Sequence, residues 1–166
     1  VILTTDVAYR DDSATAAGIL HMDWRTDDVA QTIVKKIDPV APYEPGQFYK
    51  RELPCIMSVL SEAGTDLEAI VVDGYVDLGR MRKPGLGRHL FDTIGKAIPV
   101  VGVAKRPFAD TPDACRVFRG KSKMPLYVTA AGMPLGQAKS HVRTMHGGHR
   151  IPTILKLADR ICRENH

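Results

Sequence analysis

Ala69-Ile70-Val71-Val72-Asp73-Gly74 is the stretch on which the fold turns. Four apolar residues without polar alternation mark a strand buried on both faces, and the acid and glycine behind them stop it abruptly. The same pattern returns at Val100-Val101-Gly102-Val103-Ala104, which ends on Lys105. Upstream, Val1 to Thr5 is a β-favouring run that ends on Asp6, and Ala14 to Met22 is a second. The turn-rich Arg10-Asp11-Asp12-Ser13 lies between them, so the pair reads as an antiparallel hairpin, with Val29 to Lys36 as a third strand. Three prolines between Asp38 and Gly46 make that segment irregular. Phe48 to Glu62 carries Leu53, Ile56, Met57 and Leu60 at helical spacing. Further helices are expected over Leu86 to Ile98, over Pro134 to Met145, and from near Pro152 to about Glu164, with a strand at Leu126 to Thr129 and a charged loop from Arg106 to Lys123. Antiparallel strands first, then strands alternating with helices, predict one α/β domain around a mixed sheet over residues 1–166.

The composition agrees. The chain has 166 residues, 44% hydrophobic and 25% charged, which excludes general disorder, collagen and a small disulfide scaffold. A net charge of +4 permits a phosphate-bearing partner. No apolar run approaches the ~20 residues of a membrane helix, and the first residues lack the pattern of a signal peptide. Cys55, Cys115 and Cys162 are odd in number and unrelated in spacing, which reads as reduced thiols in a cytoplasmic protein.

The chemistry lies in where the acids sit. Asp6 follows the first strand and Asp73 the fourth, and ligand sites of open α/β sheets gather outside strand ends. If those strands are neighbours, the two carboxylates crowd together unless a cation neutralises them, and Mg²⁺ or Mn²⁺ suits such oxygen donors. Glu52, among the apolar positions of its helix, is placed to be a third ligand. The loop from Arg80 to Arg88 holds Arg80, Arg82, Lys83 and Arg88, cations that suit a phosphodiester backbone. Lys105 ends a buried strand, a position from which its ammonium would reach the same cleft. Each feature alone also suits a blander role: an aspartate after a strand is a common turn former, and a basic loop is commonly just solvated. The glycines of the basic loop match no nucleotide-binding fingerprint, and no serine sits in a nucleophile elbow. His141, His146 and His149 flank Gly147-Gly148 without a zinc spacing and read as polar surface.

Five segments in order resemble the endonuclease V family: Thr5-Asp6-Val7-Ala8-Tyr9; Pro42-Tyr43-Glu44-Pro45-Gly46 through Arg51-Glu52; Val72-Asp73-Gly74 with Gly85-Leu86-Gly87-Arg88-His89-Leu90; Ile98 through Lys105; and Arg150-Ile151-Pro152 with Leu157-Ala158-Asp159-Arg160. The resemblance implies a ribonuclease H-like fold and a Mg²⁺-dependent endonuclease of DNA-repair type. Its substrate would be deaminated nucleic acid, deoxyinosine in DNA or inosine in RNA, cut one nucleotide beyond the lesion on its 3′ side. Asp6, Glu52 and Asp73 would be metal ligands. Tyr43 with Pro42, Pro45 and Gly46 would form a wedge that helps expose the base, and Lys105 would stand beside the scissile phosphate. The chain departs from the family pattern at Gly79 and Arg80 and at Met133, where histidines are usual. Those departures define the alternative reading, a catalytically weakened nucleic-acid-binding protein of the same fold.

Overall fold

Strands β1 (Ile2–Arg10), β2 (Ser13–His21) and β3 (Gln31–Ile37) form an antiparallel meander in the computed structural model, which describes residues 1–64 and 66–165. Helix α1 (Tyr49–Ala63) leads to β4 (Ala69–Asp73), and a two-residue hairpin of β5 (Asp77–Leu78) and β6 (Lys83–Pro84) precedes α2 (Leu86–Thr93). Then come β7 (Val100–Ala104), a 3-10 turn at Asp113–Cys115, β8 (Arg116–Val117) and β9 (Leu126–Ala131). Helices α3 (Leu135–Thr144) and α4 (Thr153–Glu164) close the chain.

The seven-stranded sheet runs β3-β2-β1-β4-β7-β9-β8. Its centre, β1-β4-β7, is parallel, while β9 is antiparallel to β7. The later strands are therefore not all parallel. Residues 105–125 return the chain without a crossover helix, which only an antiparallel neighbour allows. Helix α2 is shorter than its sequence pattern because Gly95 and Lys96 take positive φ, 69° and 60°, and turn the backbone out.

Alternation along the central strands separates two cores. Leu3, Ile70, Val72 and Val100 face α1 and α2, packing with Ile56, Val59 and Leu90. Ile2, Val71, Val101 and Val103 face α3 and α4, packing with Val142, Ile154 and Ala158. Each fully buried aliphatic side chain contributes roughly 1.5–3 kcal/mol, so both layers anchor the sheet firmly.

Strand β1 runs further than its apolar start indicates, because β2 pairs with it as far as Arg10↔Ser13. Asp6 thus lies inside β1 and not after it. Its parallel pairing with β4, however, ends at Thr5↔Val72, which leaves Asp6 and Asp73 one step beyond the shared ladder. Gly102 permits the turn behind Asp73 to lie flat on β7. A Cβ at Gly102 would stand 2.6 Å from the Gly74 carbonyl oxygen and 2.8 Å from the Val76 nitrogen. That turn is held by the Gly74 N–H on the Val103 carbonyl at 3.0 Å and the Val76 N–H on Thr129 Oγ1 at 2.8 Å.

Candidate functional site

Strand alternation puts Asp6 on the side of Ile2, Asp73 on the side of Val71 and Lys105 on the side of Val103, all facing α4. A cleft of about 330 Å³ opens there, with Asp6, Tyr9, Asp73, Lys105, Asp159 and Arg163 on its walls. Lys105 Nζ donates to Asp73 Oδ2 at 3.3 Å, and the Val7 N–H donates to Asp6 Oδ1 at 2.8 Å.

Asp6 is only 7% exposed. Burial, and next the charge of Asp73, push its carboxyl up to about 7, although the Val7 N–H and Lys105 pull the other way. Glu52, in the first turn of α1, is 6% exposed. Burial, then Asp6, then Asp73 push it up to about 8. Among the described residues no hydrogen bond or ion pair reaches the Glu52 carboxylate. Its charge is felt by both aspartates of the cleft.

Asp159 joins the site from α4. Asp6, Asp159 and Cys162 offer ligand atoms all within 4.8 Å of one another, the only group of that tightness among the described residues. The ligand atoms of the sequence-predicted trio Asp6, Glu52 and Asp73 share one electrostatic field but do not all close to that distance, and Asp73 pairs with Lys105. Cys162 donates its S–H to the Asp159 backbone carbonyl at 3.2 Å, and burial with the nearby acids pushes the thiol up to about 12. It is a neutral thiol near pH 7. Asp6 and Asp159 offer carboxylate oxygens, and Asp6 has no ion-pair partner among the described residues, a set that fits a hard divalent ion. The sequence does little to single out Asp159: it stands in the tail motif Leu157-Ala158-Asp159-Arg160, one acid in a helix rich in charge.

The cleft widens into a groove of about 1060 Å³ beside α4. Lys105, His149, Arg150, Lys156, Arg160 and Arg163 contribute to its walls, with Asp27, Asp159 and Glu164 as the acids. Arg163 Nε bonds Asp159 Oδ1 at 2.9 Å, at the junction of cleft and groove. The basic loop departs from the expectation of a row of free cations. Arg88 donates through Nε and Nη2 to the Asp77 carboxylate at 3.0 and 2.9 Å, and Arg82 reaches the same group at 3.3 Å. Asp77 is nearly buried, and Arg88 neutralises it. Arg80 and Lys83 stay at the surface of the loop.

Tyr43, Pro42, Pro45 and Gly46 lie on the exposed segment between β3 and α1, with Tyr43 59% exposed and Gly46 at φ 74°. Tyr43 meets Phe48 edge-on at 6.3 Å, and Phe48 meets Tyr9 at 5.8 Å. The Arg51 guanidinium stands 4.4 Å over the Tyr9 ring. Aromatic contacts thus connect the exposed loop to the strand that carries Asp6. Met133 packs against the core on the α3 side and carries no titratable group to the cleft. No helix among the described residues is long and apolar enough to cross a membrane.

A family profile described as Endonuclease V matches residues 1–160. The endonuclease V of Streptomyces coelicolor is 30% identical over 181 aligned residues, covering 95% of this chain and 76% of that protein. The crystal structure of endonuclease V from Streptomyces avermitilis superposes with a TM-score of 0.78 at 30% identity, over 98% of this chain and 79% of that one. Endonuclease V of Ciona intestinalis, solved with a 24mer DNA containing an inosine followed by a ribo-adenosine, shares the fold at a TM-score of 0.77 and 17% identity, over 98% of this chain and 84% of that one.

Proposed function

The chain belongs to the endonuclease V family of nucleases, and from that premise we propose that it is a metal-dependent endonuclease. Its substrate is a phosphodiester near a deaminated base, deoxyinosine in DNA or inosine in RNA. Mg²⁺ is the proposed ion, with Mn²⁺ able to replace it. The observation that carries this reading is one cleft in which Asp6, Asp73, Asp159 and Lys105 converge on the side of the sheet that opens into a basic groove. The inosine-containing DNA of the Ciona relative supports the choice of lesion.

Asp6, Asp73 and Asp159 would hold the ion, and Glu52 would deepen the negative field behind them. Bound there, a divalent cation supplies charge neutralisation and Lewis-acid polarisation of the phosphoryl oxygens. Lys105 brings an ammonium to the same cleft, where it stabilises the negative charge that builds on phosphate oxygens as the bond breaks. Lys156 and Arg160 of the groove hold the backbone beside the cut, while the Arg150 guanidinium is engaged with backbone carbonyls. Tyr43, stiffened by Pro42 and Pro45, fills the gap left in the stack when the base is extruded, a step that costs a few kcal/mol and least at a mismatch.

Incubation of inosine-containing oligonucleotides with Mg²⁺ or Mn²⁺, with Asp73→Ala as control, tests the reading. Metal-dependent nicking by the wild-type chain alone supports it. Equal nicking by both proteins overturns it. Salt-sensitive binding that survives EDTA, without cleavage under any metal, replaces it with the binding-protein reading.

A further inference from the structure

Lys105 is the first residue past the end of β7, and the β7–β9 ladder stops one residue earlier, at Ala104↔Tyr127. Its backbone therefore lacks the strand pairing that fixes its neighbours. A side chain replaces that pairing. Arg150 Nη2 donates to the Lys105 carbonyl, and the same guanidinium donates to the Pro125 carbonyl through Nη2 at 2.9 Å and Nε at 3.3 Å. Pro125 immediately precedes β9, so one planar group ties the ends of two adjacent strands where the ladder has run out. The fork geometry of arginine suits this double grip; a lysine would supply one point contact.

Arg150 is itself held. It lies in the turn between α3 and α4, and Arg119, 4% exposed, donates to the carbonyls of Met145 at 2.6 Å, Gly147 at 2.9 Å, His149 at 3.0 Å and Arg150 at 3.3 Å. The turn is thus pinned from within, and the Arg150 side chain leaves it toward Lys105.

We propose that Arg150 is a positioning residue that fixes the backbone of Lys105 and so aims its ammonium at the reacting phosphate. This rests on the role proposed for Lys105 in the cleavage reaction. Arg150 touches no reacting atom in this scheme. A misplacement of about 1 Å can cost up to ~10²-fold in rate, so a loosened Lys105 shows in turnover more than in binding.

The test is a double-mutant cycle on cleavage of an inosine-containing oligonucleotide, with wild type, Arg150→Gln, Lys105→Ala and the double variant compared under single-turnover and steady-state conditions. Arg150→Lys is added as the conservative variant, and melting temperatures identify folded proteins. The expected result is a loss of about tenfold in kcat for Arg150→Gln with KM within about twofold, partly restored by Arg150→Lys, and a further loss under about twofold once Lys105 is already alanine. A large Lys105→Ala effect with an equal Arg150→Gln loss in both backgrounds overturns the proposal while leaving the role of Lys105 intact. A Lys105→Ala variant as fast as wild type overturns the role of Lys105 itself. If Arg150→Gln does not fold, the cycle is run with Arg150→Lys, and strict additivity there is equally fatal.

Discussion

Asp6 on the first strand and Asp159 on the last helix bring carboxylate oxygens within 4.8 Å of each other from opposite ends of the chain. Only the packing of α4 against the central sheet makes that meeting. Replacing Asp159 with Asn keeps the shape and removes the charge. We expect cleavage to fall by on the order of 10²-fold and Mn²⁺ affinity, measured by electron paramagnetic resonance, to weaken. Unchanged metal affinity in Asp159→Asn would remove it from the proposed ligand set.

The buried acids make a prediction about pH. Burial, reinforced by neighbouring acids, holds Asp6 near 7 and Glu52 near 8, above their ordinary 3.8 and 4.5. Between the ordinary and the raised values the folded protein binds more protons than the unfolded chain. Stability is then fullest below about pH 4 on this account and falls as pH rises through 7 and 8, by at most about 1.4 kcal/mol per pH unit for each group. Other acids set the absolute curve, so the diagnostic quantity is a difference. In metal-free buffer Glu52→Gln should gain melting temperature over wild type as pH rises from 5 to 8, and Mg²⁺ should shrink that gain. A difference that stays flat with pH counts against the arrangement.

Gly102→Ala is expected to destabilise the protein and impair the site together. The added methyl meets the Gly74 carbonyl at 2.6 Å, so the turn behind Asp73 must lift. Overpacking of this kind costs typically about 1–3 kcal/mol. A urea titration reads the stability, and the same variant, assayed while still folded, should cleave more slowly. A folded variant with normal stability and rate would show that the turn relaxes freely.

The cations of the basic loop divide into two groups with different readouts. Arg88→Ala leaves the nearly buried Asp77 carboxylate without its main partner and should lower stability. Arg80→Ala and Lys83→Ala should leave stability within about 0.5 kcal/mol. Each that contacts phosphate should reduce the salt slope of oligonucleotide binding by about one. Binding titrations across salt concentrations separate the two groups. A reduced slope in Arg88→Ala, or none in either surface variant, contradicts the division.

Much of the fold is legible in the amino-acid order alone, for a physical reason. Val71 and Val101 sit in unbroken apolar runs because central parallel strands are covered on both faces, and few environments besides that one favour four or five consecutive apolar side chains. Elements as short as Lys83–Pro84 or Arg116–Val117 contain too few residues for any periodicity to register. The extent of β1 is hidden because Ala8, Tyr9 and Arg10 pair with β2 alone, beyond the central parallel ladder. At the site, Asp73 and Lys105 stand out as polar residues closing apolar runs. Glu52 stands out as an acid among apolar helix positions. Asp159, in a helix dense with charge, becomes visible only when the sheet supplies its partner. The capture of Arg88 by Asp77 is equally invisible, since the basic loop gives no hint that an acid beside it is buried.

The pleat of β1 sets where changes of length can be accommodated. Thr4 and Asp6 project to the same side, and Thr5 to the other. One residue inserted between Leu3 and Asp6 would turn the acid toward α1, even if every backbone bond to β2 and β4 re-formed one step along. An extra residue at Asp11-Asp12, on the hairpin tip, reverses no side chain in the cleft. Natural variation in chain length should therefore collect at that tip and be nearly absent between Leu3 and Asp6.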